Sequence, residues 1–353
     1  MLYDAVADLD VRIDGYDLEL RESETSSGFT RTTTVVSLHG GGETGRGEDV
    51  TYENEAHYDL RDSSETFPVT GDFTLDGFSG RLAETDLFGG EEPGQPIFRN
   101  YRRWAFESAA LDLALKQAET NLAERLDRTY EPVRFVVSTR LEEPPTGERV
   151  VEWLERNPEL EFKLDPTSDW TDETVERLAE TDAVRVLDLK GQYHGTEVDQ
   201  PADPELYERV VEDFPEAVVE DPELNDETRQ VLEGHESRVS WDYPIRSVET
   251  VEELPWQPDW LNIKPSRFGS VRSVFDCVDY CYENDIQMYG GGQFELSVGR
   301  GQIQALASVF YPDTPNDVAP REYNRPEPSD GLPTSPLSPP SQPRGFGWDS
   351  SRS

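Results

Sequence analysis

Apolar positions recur along the chain in two rhythms. Residues 11–20 (VRIDGYDLEL) and 31–38 (RTTTVVSL) alternate in part and read as strands. His39-Gly40-Gly41-Gly42, with Gly45 and Gly47 beyond, marks a turn. No Gly-Lys-Ser/Thr follows, so this is not a phosphate-binding P-loop. Residues 67–100 read as irregular, with a loop-like run, FGGEEPGQP, at 88–96. A helical rhythm then takes over at 98–126. Trp104, Leu111, Leu115, Leu122 and Leu126 recur at spacings of 7, 4, 7 and 4 and keep one apolar face. One long helix is predicted there, with these five residues in the core.

From residue 132 a unit repeats: a short apolar run, a polar loop, a helical stretch. The runs are 133–138, 160–164, 183–189, 217–220, 238–242, 260–264 and 286–290. Between them, 202–214 begins with Asp203 as a helix cap and Pro204 in the first turn, and 171–180 begins with a Thr cap followed by acids. Short strands without alternation, each followed by a helix, argue for a closed parallel barrel in which both faces of the sheet are covered. A doubly wound open sheet is the runner-up. The tail from about 321 is rich in Pro and Ser, yet Leu332, Leu337, Phe346 and Trp348 are apolar anchors that predict packing as far as Trp348.

Charge narrows the function classes. The 353 residues carry 32 Lys+Arg against 74 Asp+Glu, a formal net charge of −42. Such a surface repels phosphate backbones, so no nucleic-acid partner is expected. No stretch approaches the roughly 20 apolar residues of a membrane span, and the first ten residues lack a secretory pattern. A cytoplasmic protein with no membrane association is expected. The apolar runs argue for a folded core rather than disorder. Self-repulsion at this charge is relieved by concentrated salt, which shortens the Debye length to about 3 Å at 1 M; a halophile that accumulates salt is the expected source. Cys277 and Cys281 fit neither a disulfide framework nor a zinc ribbon and read as two reduced thiols on one helix face.

Lysine is scarce. Lys116, Lys163, Lys190 and Lys264 are the whole set, and the last three each end a strand-like run. A lysine, unlike an arginine, sheds its proton when desolvated and so serves as a base. In a parallel barrel the C-terminal strand ends share the rim that holds the active site. At those ends stand Lys163, Asp188, Glu220, Asp242 and Lys264. Three acids from three consecutive strands, about 4.8 Å apart, suit one hard cation such as Mg2+ (Mn2+ as the alternative). A lysine on either flank suits removal of a proton α to a carboxylate. The expected substrate is therefore a small carboxylate.

With these motifs the chain resembles the enolase superfamily, in its muconate-lactonising-enzyme-like branch. VRIDGYDLEL, RTTTVVSL and Gly45-Arg46-Gly47-Glu48 resemble the capping domain; RRWAFESAALDLALKQ resembles the helix leading into the barrel. Lys163 matches the second position of a Lys-x-Lys motif. Asp188, Glu220 and Asp242 match the metal ligands, and Lys264 in NIKPSRFGS matches the opposing lysine. YGGGQFELSVGRG resembles the strand-seven segment, with Glu295 at its Glu-Ser-x-x-Gly position.

The resemblance implies a modified (β/α)7β barrel with an α+β cap. The expected division is a cap over 1–100, a barrel over 101–320, and a segment 321–353 returning to the cap, in a homo-oligomer. It implies an enediolate intermediate and racemisation or epimerisation, with β-elimination (as in o-succinylbenzoate synthase) or cycloisomerisation as alternatives. A barrel that binds a ligand or partner without catalysis is the reading from another class. In the capping loop 24–32, Phe29 would cover the substrate, and Arg31 would bind a carboxylate or begin a strand. The chain departs from the family at Lys190, where Asn is usual and where the lysine could repel the cation or meet a substrate charge; at Glu161, in place of the first lysine; and at Tyr243, in place of Glu. Tyr193 and His194 either line the site or lie on the loop surface.

Overall fold

The structure is a computed structural model that describes residues 1–24, 29–62, 67–196, 198–324 and 330–348. Five strands open the chain: β1 (Asp10–Ile13), β2 (Gly15–Glu24), β3 (Thr30–Gly40), β4 (Glu43–Asp49) and β5 (Gly71–Thr74). β2, β3 and β4 form an antiparallel sheet, and β1 pairs antiparallel with β5. The β3–β4 turn places Gly41 and Gly42 at φ of 61° and 83°, a conformation that glycine adopts without the Cβ penalty.

Seven parallel strands follow: β6 (Val137–Thr139), β7 (Phe162–Leu164), β8 (Val184–Asp188), β9 (Val218–Glu220), β10 (Val239–Trp241), β11 (Trp260–Ile263) and β12 (Gln287–Gly290). They lie in simple order from β6 to β12. The two edges meet through Asn316. Val136 N donates to the Asn316 carbonyl at 2.8 Å, and Asp317 N donates to the Gly290 carbonyl at 2.8 Å. The segment around Asn316 thus fills the eighth place and closes the barrel. Each strand coincides with a predicted apolar run, because both faces of such a strand are buried. The helices Asp172–Glu180 and Pro204–Asp213 begin at their expected caps, with Thr171 accepting from Thr174 N and Asp203 from Glu205 N and Leu206 N.

Two expectations need correction. The long helix ends early: it runs Phe98–Gln117, and a separate turn of helix, Leu122–Arg125, follows. Glu119 takes a left-handed φ of 54°, which ends the first helix, and the Asn121 side chain accepts from Glu124 N to start the second. All five apolar residues of the predicted face are buried nonetheless. Residues 67–100 are not simply irregular. They contain β5 and a helix, Leu75–Ala83, capped by the Thr74 hydroxyl accepting from Gly77 N; Leu75, Phe78 and Leu82 are its buried face. Gly77 and Gly80 obscured that periodicity.

β4 lies flush on the helix Phe98–Gln117. A Cβ on Gly45 would sit 2.2 Å from the Ala109 carbonyl oxygen, and one on Gly47 2.0 Å from that of Ala105, so the contact requires glycine at both positions. The tail returns to the same region. Leu337, Phe346 and Trp348 are buried, Phe346 packs edge-on against Trp104, and Arg344 pairs with Glu43 at 2.6 Å. Cys277 and Cys281 are buried, unbonded thiols on the helix Val271–Glu283. Among the described residues no helix is long and apolar enough to cross a membrane.

Candidate active site

Strand register decides which side chains meet. Asp188 is the register partner of Glu220, so their carboxylates lie side by side. Glu220 pairs in turn with Ser240, not with Asp242. Asp242 therefore stands two residues past Ser240, just beyond the end of β10 and about 6.6 Å higher on the rim. Strand order places the lysines. Lys163 is on β7 and Lys264 follows β11, four places apart in a ring of eight, so they approach the rim from opposite sides.

Asp188, Glu220, Asp221 and Asp242 are fully buried, and each is held by internal donors. Lys163, a residue 1% exposed, sets its ammonium 2.5 Å from Glu220 Oε1 and 3.0 Å from Asp188 Oδ2. Lys190 also sets its ammonium on Asp188 Oδ2, and its backbone N–H donates to Oδ1 at 3.1 Å. Asn262 Nδ2 donates to both oxygens of Glu220, and the Tyr289 hydroxyl donates to Oε2. Asp242 takes Lys264 at 2.8 Å, Arg267 through Nε at 2.9 Å and Nη2 at 3.2 Å, and the Tyr193 hydroxyl at 2.8 Å. Asp221 accepts from the backbone N–H groups of Asp242 and Tyr243, both at 2.8 Å.

Burial and charge pull the acids apart. Burial pushes the Glu220 carboxyl up to about 7, with Asp188 adding to the rise. Burial, then Asp242, raises Asp221 well above the usual carboxylate range. Burial opposes ionisation of Asp188 and Asp242 as well. There the cations win: Lys163 and Lys190 hold Asp188 low, and Arg267 and Lys264 hold Asp242 low. Burial likewise disfavours the Lys163 ammonium, but Asp188 and Glu220 overcome it and raise its pKa. Such divergence among neighbouring titratable groups is typical of proton-transfer sites.

The donor set suits a hard divalent cation. Asp188, Glu220 and Asp221 each offer a buried carboxylate oxygen, all within 4.8 Å of one another. Beside them the buried Asn262 Oδ1 has no hydrogen-bond partner. Oxygen donors of this kind favour Mg2+ or Mn2+ over softer metals. Asp221 was not read from the sequence. In a chain with 74 acids, an Asp directly after a Glu carries no signal. Arg267 was missed too, although its place three residues after Lys264 hinted at it. Asp242 stands outside the close group, among cations.

The remaining candidates surround this centre. Tyr193 reaches the site through its hydroxyl and packs at a 45° tilt against Tyr243, their centroids 4.4 Å apart, with the Arg267 guanidinium over both rings. His194 lies in the same loop and is exposed. Glu295 is 5% exposed; Oε1 accepts from Gln293 N, and Oε2 has no hydrogen-bond partner. Phe29 is 39% exposed and meets Phe294 edge-on. The rest of its loop, residues 25–28, lies outside the described residues. Arg31 falls within β3, as its strand alternative required. Its two Nη atoms donate to the carbonyls of Thr32, Thr51, Val50 and Gln293, so it clamps the cap to the loop after β12.

The chain matches two family models, the N-terminal domain of DUF8230 over residues 4–125 and its C-terminal domain over 129–325. It belongs to the DUF8230 family. Both parts of DUF8230 are described as domains of unknown function. Among solved structures, this DUF8230 chain is similar to an unassigned enolase-superfamily member from Enterococcus faecalis V583. The TM-score is 0.65 at 19% identity, over 88% of this chain and 86% of that one. A Mg-complexed dipeptide epimerase from Methylococcus capsulatus gives 0.64 at 16% identity, over 86% and 89%. Muconate cycloisomerase from Pseudomonas fluorescens gives 0.63 at 16%, over 88% and 87%. These likenesses show the fold, a capped barrel of the enolase-superfamily kind. In sequence, this chain is similar to o-succinylbenzoate synthase of Bacillus subtilis (strain 168), 37% identical over 59 residues, which is 17% of this chain and 16% of that protein. The enzyme of the same name from Listeria innocua serovar 6a is 33% identical over 85 residues, 24% and 23%. The chain thus aligns with less than a quarter of the length of either curated relative.

Proposed function

We propose that this protein is a metal-dependent enzyme that removes the α-proton of a small carboxylate substrate. Asp188 and Glu220 would hold Mg2+ or Mn2+, with Asp221 or Asp242 as the third carboxylate. The observation that carries the reading is the placement of Lys163 and Lys264 on opposite sides of the ring, with the buried acids between them. A bound divalent cation would offset the negative charge that grows on the substrate carboxylate as its proton leaves.

Each lysine then has a defined task. Lys163 faces one side of the substrate and Lys264 the other, so one takes the proton and the other returns it on the opposite face. That sequence is racemisation or epimerisation. Both ammonium groups sit on carboxylates. A base must first be freed of that partner, because Asp188 and Glu220 hold the Lys163 proton firmly. The partial likeness to o-succinylbenzoate synthases supports a second reading, β-elimination, in which one lysine is the base and the other steadies the anion. Cycloisomerisation stands beside it through the likeness to muconate cycloisomerase. Phe29 and Phe294 would cover the apolar part of the substrate, and Glu295 would face its polar end.

The test is α-proton exchange with D2O, followed by NMR over a library of carboxylates in multimolar KCl with Mg2+. Exchange with one substrate class, abolished in Lys163→Ala and in Lys264→Ala, supports the proposal. Deuterium in both enantiomers selects racemisation; loss of a leaving group selects elimination. If both variants keep full exchange, the base assignment is wrong.

A further inference from the structure

Lys190 is a cation placed on a carboxylate that the proposed metal also needs. Its ammonium shares Asp188 Oδ2 with Lys163, which lies 3.0 Å from that oxygen, while its own N–H occupies Oδ1. Three donors therefore crowd one carboxylate that is fully buried. The backbone is bent to achieve this. Lys190 has a φ of 53°, a left-handed conformation that a residue with a Cβ adopts only at a cost. That bend turns the ammonium back onto the residue two positions earlier. The ammonium also has a second place to go. Asp165 Oδ1 lies 3.5 Å away, on a side chain that is 18% exposed and therefore open to solvent. The Tyr193 ring, with its centroid 5.2 Å from the ammonium, lies along the same loop.

We propose that Lys190 is a built-in competitor of the divalent ion, and that metal loading moves its ammonium from Asp188 to Asp165. The inference rests on the metal reading above. Like charges at one buried oxygen repel strongly, because little water screens them. One Asp188 oxygen does not accommodate Lys163, Lys190 and a divalent cation together. Lys163 has Glu220 as its second partner inside the barrel; Lys190 has Asp165 at the rim, and is the cation free to yield.

The experiment measures Mn2+ binding by calorimetry and electron paramagnetic resonance on the full chain in multimolar KCl. It compares wild type with Lys190→Met, Lys190→Arg and Asp165→Asn. Lys190→Met should bind Mn2+ about tenfold or more tightly than wild type, the lower end of what groups touching a metal ligand contribute. Lys190→Arg, which keeps the charge, should stay near wild type. Asp165→Asn, which leaves every proposed ligand in place, should bind more weakly, because the displaced ammonium loses its second anchor. In EDTA, Lys190→Met should melt below wild type and recover on adding Mn2+. Equal or weaker binding by Lys190→Met, or unchanged binding by Asp165→Asn, overturns the competition while leaving the metal reading intact. Absence of saturable Mn2+ binding in all four proteins overturns both.

Discussion

Replacing Glu48 by Ala strips four donors of their acceptor at once. Glu48 lies one residue before the end of β4 but reaches the loop after β12, where it is 1% exposed. It accepts from Leu296 N at 2.6 Å, Ser297 N at 3.0 Å and Gly299 N at 2.8 Å, and from the Thr33 hydroxyl at 2.7 Å. Those amides open the helix Val298–Phe310, so a carboxylate there also meets the positive end of its dipole. A buried donor left unmet costs about 1–3 kcal/mol. Water entering the space left by the side chain lowers each cost toward the bottom of that range. Four donors at about 1 kcal/mol each give a loss of about 4 kcal/mol for Glu48→Ala. Thr33→Val removes one hydrogen bond and should cost about 1 kcal/mol. Urea unfolding in multimolar KCl, compared at equal m-values, reads both. A loss under about 1 kcal/mol for Glu48→Ala, or equal losses for the two variants, refutes the view that this carboxylate ties cap to barrel.

Three further outcomes are expected. Lys163→Met should destabilise the protein by about 3 kcal/mol in EDTA, since it removes the cation that Asp188 and Glu220 share and leaves Asp188 to Lys190 and Glu220 to the neutral donors Asn262 and Tyr289; urea unfolding measures the loss. Burial lowers the His57 pKa, and the ring sits neutral, donating from Nε2 to the Thr51 carbonyl and accepting at Nδ1 from Thr34. The unfolded chain therefore takes up a proton near pH 6.5 that the fold refuses. This contribution is complete above that pH and is lost below it, by up to about 1.4 kcal/mol per pH unit. His57→Gln should flatten that part of the stability–pH curve, and an unchanged slope between pH 7 and 5 would count against it. Finally, the net charge of −42 predicts a melting temperature that climbs as KCl rises from dilute to multimolar; a flat or falling curve would contradict self-repulsion as the controlling force.

The barrel was legible because its strands are buried on both faces, so each survives in the sequence as a short, apolar-rich run without strict alternation, set between polar loops. The same feature exposed Lys163, Asp188, Glu220 and Lys264, since a charged residue ending an apolar run stands out. What could not be read was register. Whether Glu220 faces Ser240 or Asp242 depends on how far β10 slides along β9, and no pattern in either run records it. Asp221 was hidden for a different reason: its carboxylate is aimed by a left-handed φ of 48°, a backbone feature with no side-chain signature. The break after Gln117 was invisible because Leu122 and Leu126 bury against the same core as the longer helix, so the spacing continues although the helix does not. The clamping of Arg31 onto carbonyls depends on a loop about 260 positions away, at Gln293.

The claim on which the rest depends is that acids from successive strands share one divalent ion. Mn2+ titration by electron paramagnetic resonance, on wild type and on Asp188→Asn, Glu220→Gln, Asp221→Asn and Asp242→Asn, tests it directly. One saturable ion per chain is expected. Binding should be lost in Asp188→Asn and Glu220→Gln, and weakened in whichever of Asp221→Asn and Asp242→Asn removes the third ligand. Absence of saturable binding in wild type, or undiminished binding when Asp188 and Glu220 are replaced, would contradict it.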